Sequence, residues 1–224
     1  MLDDKRIRII IGHYGSGKTE FAVNYAVKLA QLGKKVAMAD LDIVNPYFRS
    51  RERQSMLEKY GIHFIGSAID RSMGSDLPAI ASSVLGPLQD ESYQVVLDVG
   101  GDSMGARALG RYHSYFKPGN YDMFCVLNAN RPETQDVEGA IQHLRSIESV
   151  ARAPVTGLIN NTHLLRETTV EEVLKGQELV RKVSEQLNIP IRYVSTLEEV
   201  ARHLPSEIEG EIFPIKMFMR EDWM

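Results

Sequence analysis

Arg6-Ile7-Arg8-Ile9-Ile10-Ile11 runs directly into Gly12-His13-Tyr14-Gly15-Ser16-Gly17-Lys18-Thr19, and then into an amphipathic stretch that reaches Gly33. Few folds accept that succession. The β-branched run suits a short, buried parallel strand. The stretch after Thr19 places Ala22, Ala26, Leu29 and Ala30 at helical spacing, with Gly33 as a C-terminal stop. Between them, the pattern G-x-x-x-x-G-K-T is a phosphate cradle: glycines let backbone N–H groups turn inward, and a helix N-terminus faces the anion. In such a cradle Lys18 supplies a point charge for the β- and γ-phosphates, and the Thr19 hydroxyl suits Mg²⁺. The whole loop, Gly12, His13, Tyr14, Gly15, Ser16, Gly17, Lys18, Thr19 and the following Glu20, is therefore the expected nucleotide-binding segment.

The rest of the chain repeats that unit. Strands are expected at 35–39, 62–65, 94–99, 123–127, 155–159 and 191–194. Helices are expected at 49–60, 77–89, 105–116, 134–150, 169–187 and 197–204, with a Gly/Ser/Asp-rich loop at 66–76. Repeated β-α alternation implies an α/β fold of three layers, a mostly parallel sheet with helices on both faces. No linker, repeat or low-complexity segment interrupts the 224 residues, so a single domain spanning 1–224 is expected. The apolar stretch 205–224 is expected to pack as a tail on the domain or on a partner. The net charge of −4 and the lack of a basic run argue against nucleic acid. The charged N-terminus is no secretory signal and no apolar run reaches membrane-spanning length, so a cytoplasmic protein is expected. Cys125 is the single cysteine; it excludes an internal disulfide and reads as a core residue of its strand.

Acidic residues fall where a nucleotide site needs them. The strand at 35–39 delivers Asp40 and Asp42, two apart and so on one side of an extended chain. Ligands in open α/β sheets sit at the carboxyl ends of strands. Asp40 and Asp42 are thus candidates for holding Mg²⁺ through water and for orienting an attacking water. A second strand, Val95-Val96-Leu97, ends in Asp98-Val99-Gly100-Gly101. That is the Walker-B arrangement, with Asp98 directed to Mg²⁺ and the Gly101 amide placed to sense a γ-phosphate. The candidate catalytic groups are Lys18, Asp40 and Asp42; the candidate metal groups are Thr19, Asp40 and Asp98. The stretch Gly100–Gly105 has few anchoring side chains and suits an order–disorder switch.

Together the loop, the Asp-x-Asp and the Asp-x-x-Gly resemble the MinD/ParA-type ATPases, a class shared with the nitrogenase iron protein, dethiobiotin synthetase and cobyrinate amidases. The resemblance covers most of residues 5–200. It implies ATP and Mg²⁺ as ligands. It also implies that Gly157-Leu158-Ile159-Asn160-Asn161 is the strand whose terminal Asn, here Asn161, reads adenine, with Ser195-Thr196 nearby. An Asn amide carries both the donor and the acceptor that the N6/N7 edge asks for. The chain departs from the family at one position. Such loops carry a second lysine after the first glycine that crosses a dimer, and here that residue is His13. Arg49, Arg51, Arg107, Arg111 and Arg131 are the candidates to replace it.

The reading that follows is an ATP-binding, Mg²⁺-dependent ATPase acting as a switch or as an assembly or maturation factor. Its output would pass through a protein partner that the sequence does not identify, with a nucleotide-dependent homodimer as one form. Alternatives are a nickel-insertion-type GTPase, a dethiobiotin-synthetase-like enzyme and a binding module without turnover. The GTPase would need Asn-Lys-x-Asp and metal ligands. Asn160-Asn161-Thr162-His163 lacks the first, and the histidines at 13, 63, 113, 143, 163 and 203 form no i, i+4 pair. The tail has few cations and contains Pro214, which speaks against a membrane-binding helix.

Overall fold

The computed structural model describes residues 3–42, 53–66 and 76–220, except the side chains of 76–81 and of Met104. Arg49, Arg51, most of the expected 66–76 loop and the start of the expected 49–60 helix lie outside the described residues. Among those described, eight strands form one sheet: β1 (Ile7–Ile11), β2 (Val36–Asp40), β3 (His63–Ile65), β4 (Gln94–Asp98), β5 (Tyr121–Leu127), β6 (Gly157–Asn160), β7 (Ile191–Leu197) and β8 (Glu211–Ile215). Their order is β3-β2-β4-β1-β5-β6-β7-β8, and every pairing is parallel. The helices are α1 (Lys18–Gln31), α2 (Gln54–Lys59), α3 (Asp76–Gln89), α4 (Ser103–Ala106), α5 (Val137–Ala151), α6 (Val170–Leu187) and α7 (Glu198–Ala201). This is the expected three-layer α/β fold. Among the described residues no helix is long and apolar enough to cross a membrane.

Side-chain alternation along the strands builds two cores. Ile7, Ile9 and Ile11 of β1 join Val95, Leu97, Met123, Cys125 and Leu127 on the face covered by α3, α5 and α6. Ile10 joins Val96, Phe124 and Val126 on the face covered by α1 and α2. Each of those isoleucines is at most 1% exposed, and burying one contributes about 1.5–3 kcal/mol. Cys125 is fully buried; burial first, then Glu148, pushes its thiol up to about 12, so it stays protonated.

Three elements differ from expectation. The 105–116 region is a short α4 followed by a 3₁₀ segment, Arg107–Tyr115. Gly105 and Gly110 lower α-propensity there. Strand β7 runs on through Ser195 and Thr196, beyond the expected 191–194. They are buried because residues 211–215, read as part of an apolar tail, add an eighth strand alongside, pairing Ser195 with Phe213 and Thr196 with Pro214. Pro214 is tolerated because β8 is the edge of the sheet and its missing N–H breaks no ladder.

Candidate phosphate-binding site

The central strand β1 lies between β4 and β5, and the loop Gly12–Gly17 leaves its carboxyl end to start α1. The turn into α1 is made at Gly17, whose φ of 83° is a left-handed conformation that only glycine adopts cheaply. Parallel pairing brings the carboxyl ends of β2 and β4 beside this loop. Asp40 is the register partner of Asp98, and Asp98 that of Ile10. The Leu41 N–H donates to the Asp98 carbonyl (2.8 Å), and the Asp42 N–H to Asp40 Oδ1 (3.0 Å).

Lys18 Nζ donates to Asp42 Oδ2 at 3.0 Å, and both side chains are buried. Burial alone would lower the Lys18 pKa, but the charges of Asp98, Asp42 and Asp40 outweigh it and hold the ammonium form. Asp98 is pushed up to about 7, first by burial and then by Asp40 and Asp42, with Lys18 and the Thr19 hydroxyl pulling the other way. Both Asp98 oxygens are buried without a close hydrogen bond in the described chain. Orphaned carboxylate oxygens beside a threonine hydroxyl suit a small hard cation. Among the described residues no three His, Cys, Asp or Glu side chains converge on one metal position. A Mg²⁺ here would therefore complete its shell with phosphate and water, as Mg²⁺ commonly does.

The glycine-rich stretch after β4 touches the loop directly. A Cβ on Gly101 would lie 2.8 Å from the Tyr14 nitrogen and 3.1 Å from the Gly12 oxygen. Asp102 Oδ1 accepts the Gly105 N–H at 2.7 Å and fixes the start of α4. His13 packs elsewhere. Its ring meets that of His143 at 5.1 Å, and its Nδ1 lies 3.2 Å from the Tyr14 carbonyl and 3.7 Å from Glu133. His143 is lowered to about 4, by burial and then by His13, against an opposing pull from Asp102.

A cavity of about 330 Å³ opens beside the loop, within the range that small-molecule sites occupy. Its floor is Tyr14, Gly15, Gly17, Lys18, Thr19 and Glu20. It is also lined by Arg131, Asn161, His163, Leu165 and Thr168, which follow β5 and β6, and by Thr196, Leu197, Ile215, Met217, Met219 and Arg220, which belong to or follow β7 and β8. Among the residues expected from sequence, Asn161 lines the cavity. It is 2% exposed, and its Nδ2 donates to the Ser16 carbonyl at 2.7 Å. His13, Gly12, Ser16 and Gly101 do not line the cavity, although Gly12, Ser16 and Gly101 sit against the loop that does. Glu20 lines it, yet its carboxylate is engaged by backbone N–H groups of the tail.

Other members had little or no sequence signal. Arg131 was one of five candidate arginines; its Nε donates to the Gly15 carbonyl at 2.9 Å. Arg107 and Arg111 are exposed on the 3₁₀ segment. His163 borders the cavity and is lowered to about 4 by burial, then by Arg131 and Arg220.

A phosphate loop starting a helix at the central strand of a parallel sheet, with a buried lysine among strand-end acids, defines a P-loop nucleoside triphosphatase. Within that class, the chain belongs to the family described as the CobQ/CobB/MinD/ParA nucleotide binding domain, which it matches over residues 7–205. Solved structures add a likeness of fold. FtsY from Mycoplasma mycoides superposes with a TM-score of 0.57 at 19% identity, covering 88% of this chain and 62% of that one. The Thermotoga maritima cell division protein FtsY gives 0.57 at 22%, covering 88% and 63%. The signal recognition particle 54 kDa protein of Aeropyrum pernix K1, in complex with GDP, gives 0.56 at 21%, covering 86% and 41%. This chain thus spans less than two thirds of those chains. It has no match among the curated proteins.

Proposed function

We propose that the chain binds ATP with Mg²⁺, hydrolyses it slowly on its own, and uses the nucleotide state as a cytoplasmic switch that acts on a protein partner or a second copy of the chain. The observation that carries this reading is the buried Lys18–Asp42 pair at the mouth of the loop. A triphosphate competes for the Lys18 ammonium, as phosphate oxygens are strong acceptors for it. Asp42 is then released from Lys18 and stands at a strand end where it orients the attacking water. Lys18 and the loop amides stabilise charge that develops on the transferred phosphoryl group. Thr19 and Asp98 would hold Mg²⁺, which supplies charge neutralisation between the β- and γ-phosphates when bound. Gly101, pressed against the loop, relays the change to residues 100–106.

The choice of adenine in this reading draws its support from Asn161. Asn161 lines it with its Nδ2 engaged by Ser16, which leaves the amide oxygen as an acceptor for an amino group such as adenine N6. Among the described lining residues the one acid is Glu20, and its carboxylate is taken by the tail backbone.

The test is Asp42→Asn. Its kcat for ATP is expected to fall by about tenfold or more while ATP affinity stays within a few-fold, in keeping with a group that acts on the transition state. Undiminished turnover would remove Asp42 from the mechanism.

A further inference from the structure

The tail of the chain does more than close the sheet. Glu20 follows the phosphate loop, in the first turn of α1, and Asn24 lies one turn further along the same face. Glu20 Oε1 accepts the Phe218 N–H at 2.6 Å, and Glu20 Oε2 accepts the Met219 N–H at 3.1 Å. Asn24 Oδ1 accepts the Lys216 N–H at 2.8 Å, and Asn24 Nδ2 donates to the Lys216 carbonyl at 2.8 Å. The segment after β8 is thereby tied by its backbone to the helix that begins at the loop. Phe218 also meets the Tyr60 ring edge-on at 6.4 Å.

This tie is specific and expensive. The Glu20 carboxylate gives up part of its hydration to take the two backbone donors. An apolar side chain on α1 would hold a tail without that cost, but it would not set the height of the backbone. What the tie sets is the place of Met217 and Met219, which line the cavity together with Arg131 and Asn161. Thr196, which also lines the cavity, keeps a buried hydroxyl with no partner in the described chain. An unsatisfied buried hydroxyl in a cavity that two apolar thioethers also line asks for a ligand with a polar edge and a flat apolar face.

We propose that Ile215–Arg220 is the base-side wall of the nucleotide site, with Met217 and Met219 packing on the base and Glu20 and Asn24 acting as positioning residues that hold them there. The proposal rests on the nucleotide reading above. It makes the tail part of the ligand site, with a loop-side contact for the phosphates and a tail-side contact for the base.

Two ligands separate these contacts: Mg²⁺–ATP, and Mg²⁺ with inorganic tripolyphosphate, which lacks a base. Their affinities are compared by calorimetry in the wild type, Asn24→Ala, Glu20→Ala and Glu20→Gln. The ratio of ATP to tripolyphosphate affinity is expected to fall about tenfold in Glu20→Ala, the scale of one lost base contact, and severalfold in Asn24→Ala. Glu20→Gln, which keeps an acceptor oxygen, recovers most of the ratio. A ratio unchanged in both alanine variants overturns the proposal and leaves the loop assignment standing. A wild type that binds neither ligand overturns the nucleotide reading and the proposal with it. A second measurement needs no variant: ¹³C-methyl spectra of the wild type should show Met217 and Met219 shifting with ATP and staying in place with tripolyphosphate. Equal shifts with both ligands count against the base-side wall.

Discussion

At the scale of single residues, the site is a balance between burial and charge. Lys18 keeps its proton because acids surround it, and Asp98 is pushed up to about 7 by burial first and then by Asp40 and Asp42. The histidines behave in the opposite sense. His163 is ordinarily half-protonated near 6.5, and in the fold burial lowers it to about 4. A base lowered on folding contributes stability that is present above its unfolded value and is lost as pH falls through the folded one. Thermal stability is therefore expected to fall between about pH 6.5 and pH 4, and less steeply in His163→Gln; equal slopes in the two proteins would show that His163 is not buried as described. Glu20 has the reverse sign: raised to about 7, its contribution fades as pH rises toward neutrality. The positions of Lys18, Thr19 and Asp98 at strand ends could be read from local spacing, and Asn161 was singled out through the family resemblance. The partners of Glu20 could not be read in this way. Phe218 lies 198 positions away, and no periodicity joins residues that the fold alone brings together.

At the scale of elements, the alternation of β1, β4 and β5 between two cores explains why the order of strands and helices could be read from the chain. The elements that escaped were those whose burial depends on a neighbour. Ser195 and Thr196 continue β7 only because β8 covers them, and β8 looked like a tail because its residues lack strand alternation and include Pro214. Close backbone contact was equally hidden. Gly100-Gly101 read as a flexible turn, whereas Gly101 is pressed on the loop at the distance where a methyl group cannot fit. Gly101→Ala should push that backbone off Tyr14 and Gly12. Overpacking of this kind typically costs about 1–3 kcal/mol. Denaturant unfolding measures that cost, and ATP affinity should drop alongside it. A variant with unaltered stability and affinity would separate Gly101 from the loop.

At the scale of the whole molecule, one parallel sheet places every contributor at a single edge: the loop after β1, the acids ending β2 and β4, Arg131 after β5, Asn161 after β6, Thr196 in β7 and the strap after β8. The site is thus a product of topology, and the strap after β8 reaches it near the carboxyl end of the described chain. The central claim is that Lys18, set among acids at this edge, receives the phosphates of Mg²⁺–ATP. Calorimetric titration of the wild type and Lys18→Ala with Mg²⁺–ATP tests it most directly. Removing a desolvated charge partner commonly costs about 2–5 kcal/mol, so affinity should drop by about 30-fold or more, with circular dichroism confirming that the variant is folded. A folded Lys18→Ala that binds Mg²⁺–ATP as tightly as the wild type would contradict the account.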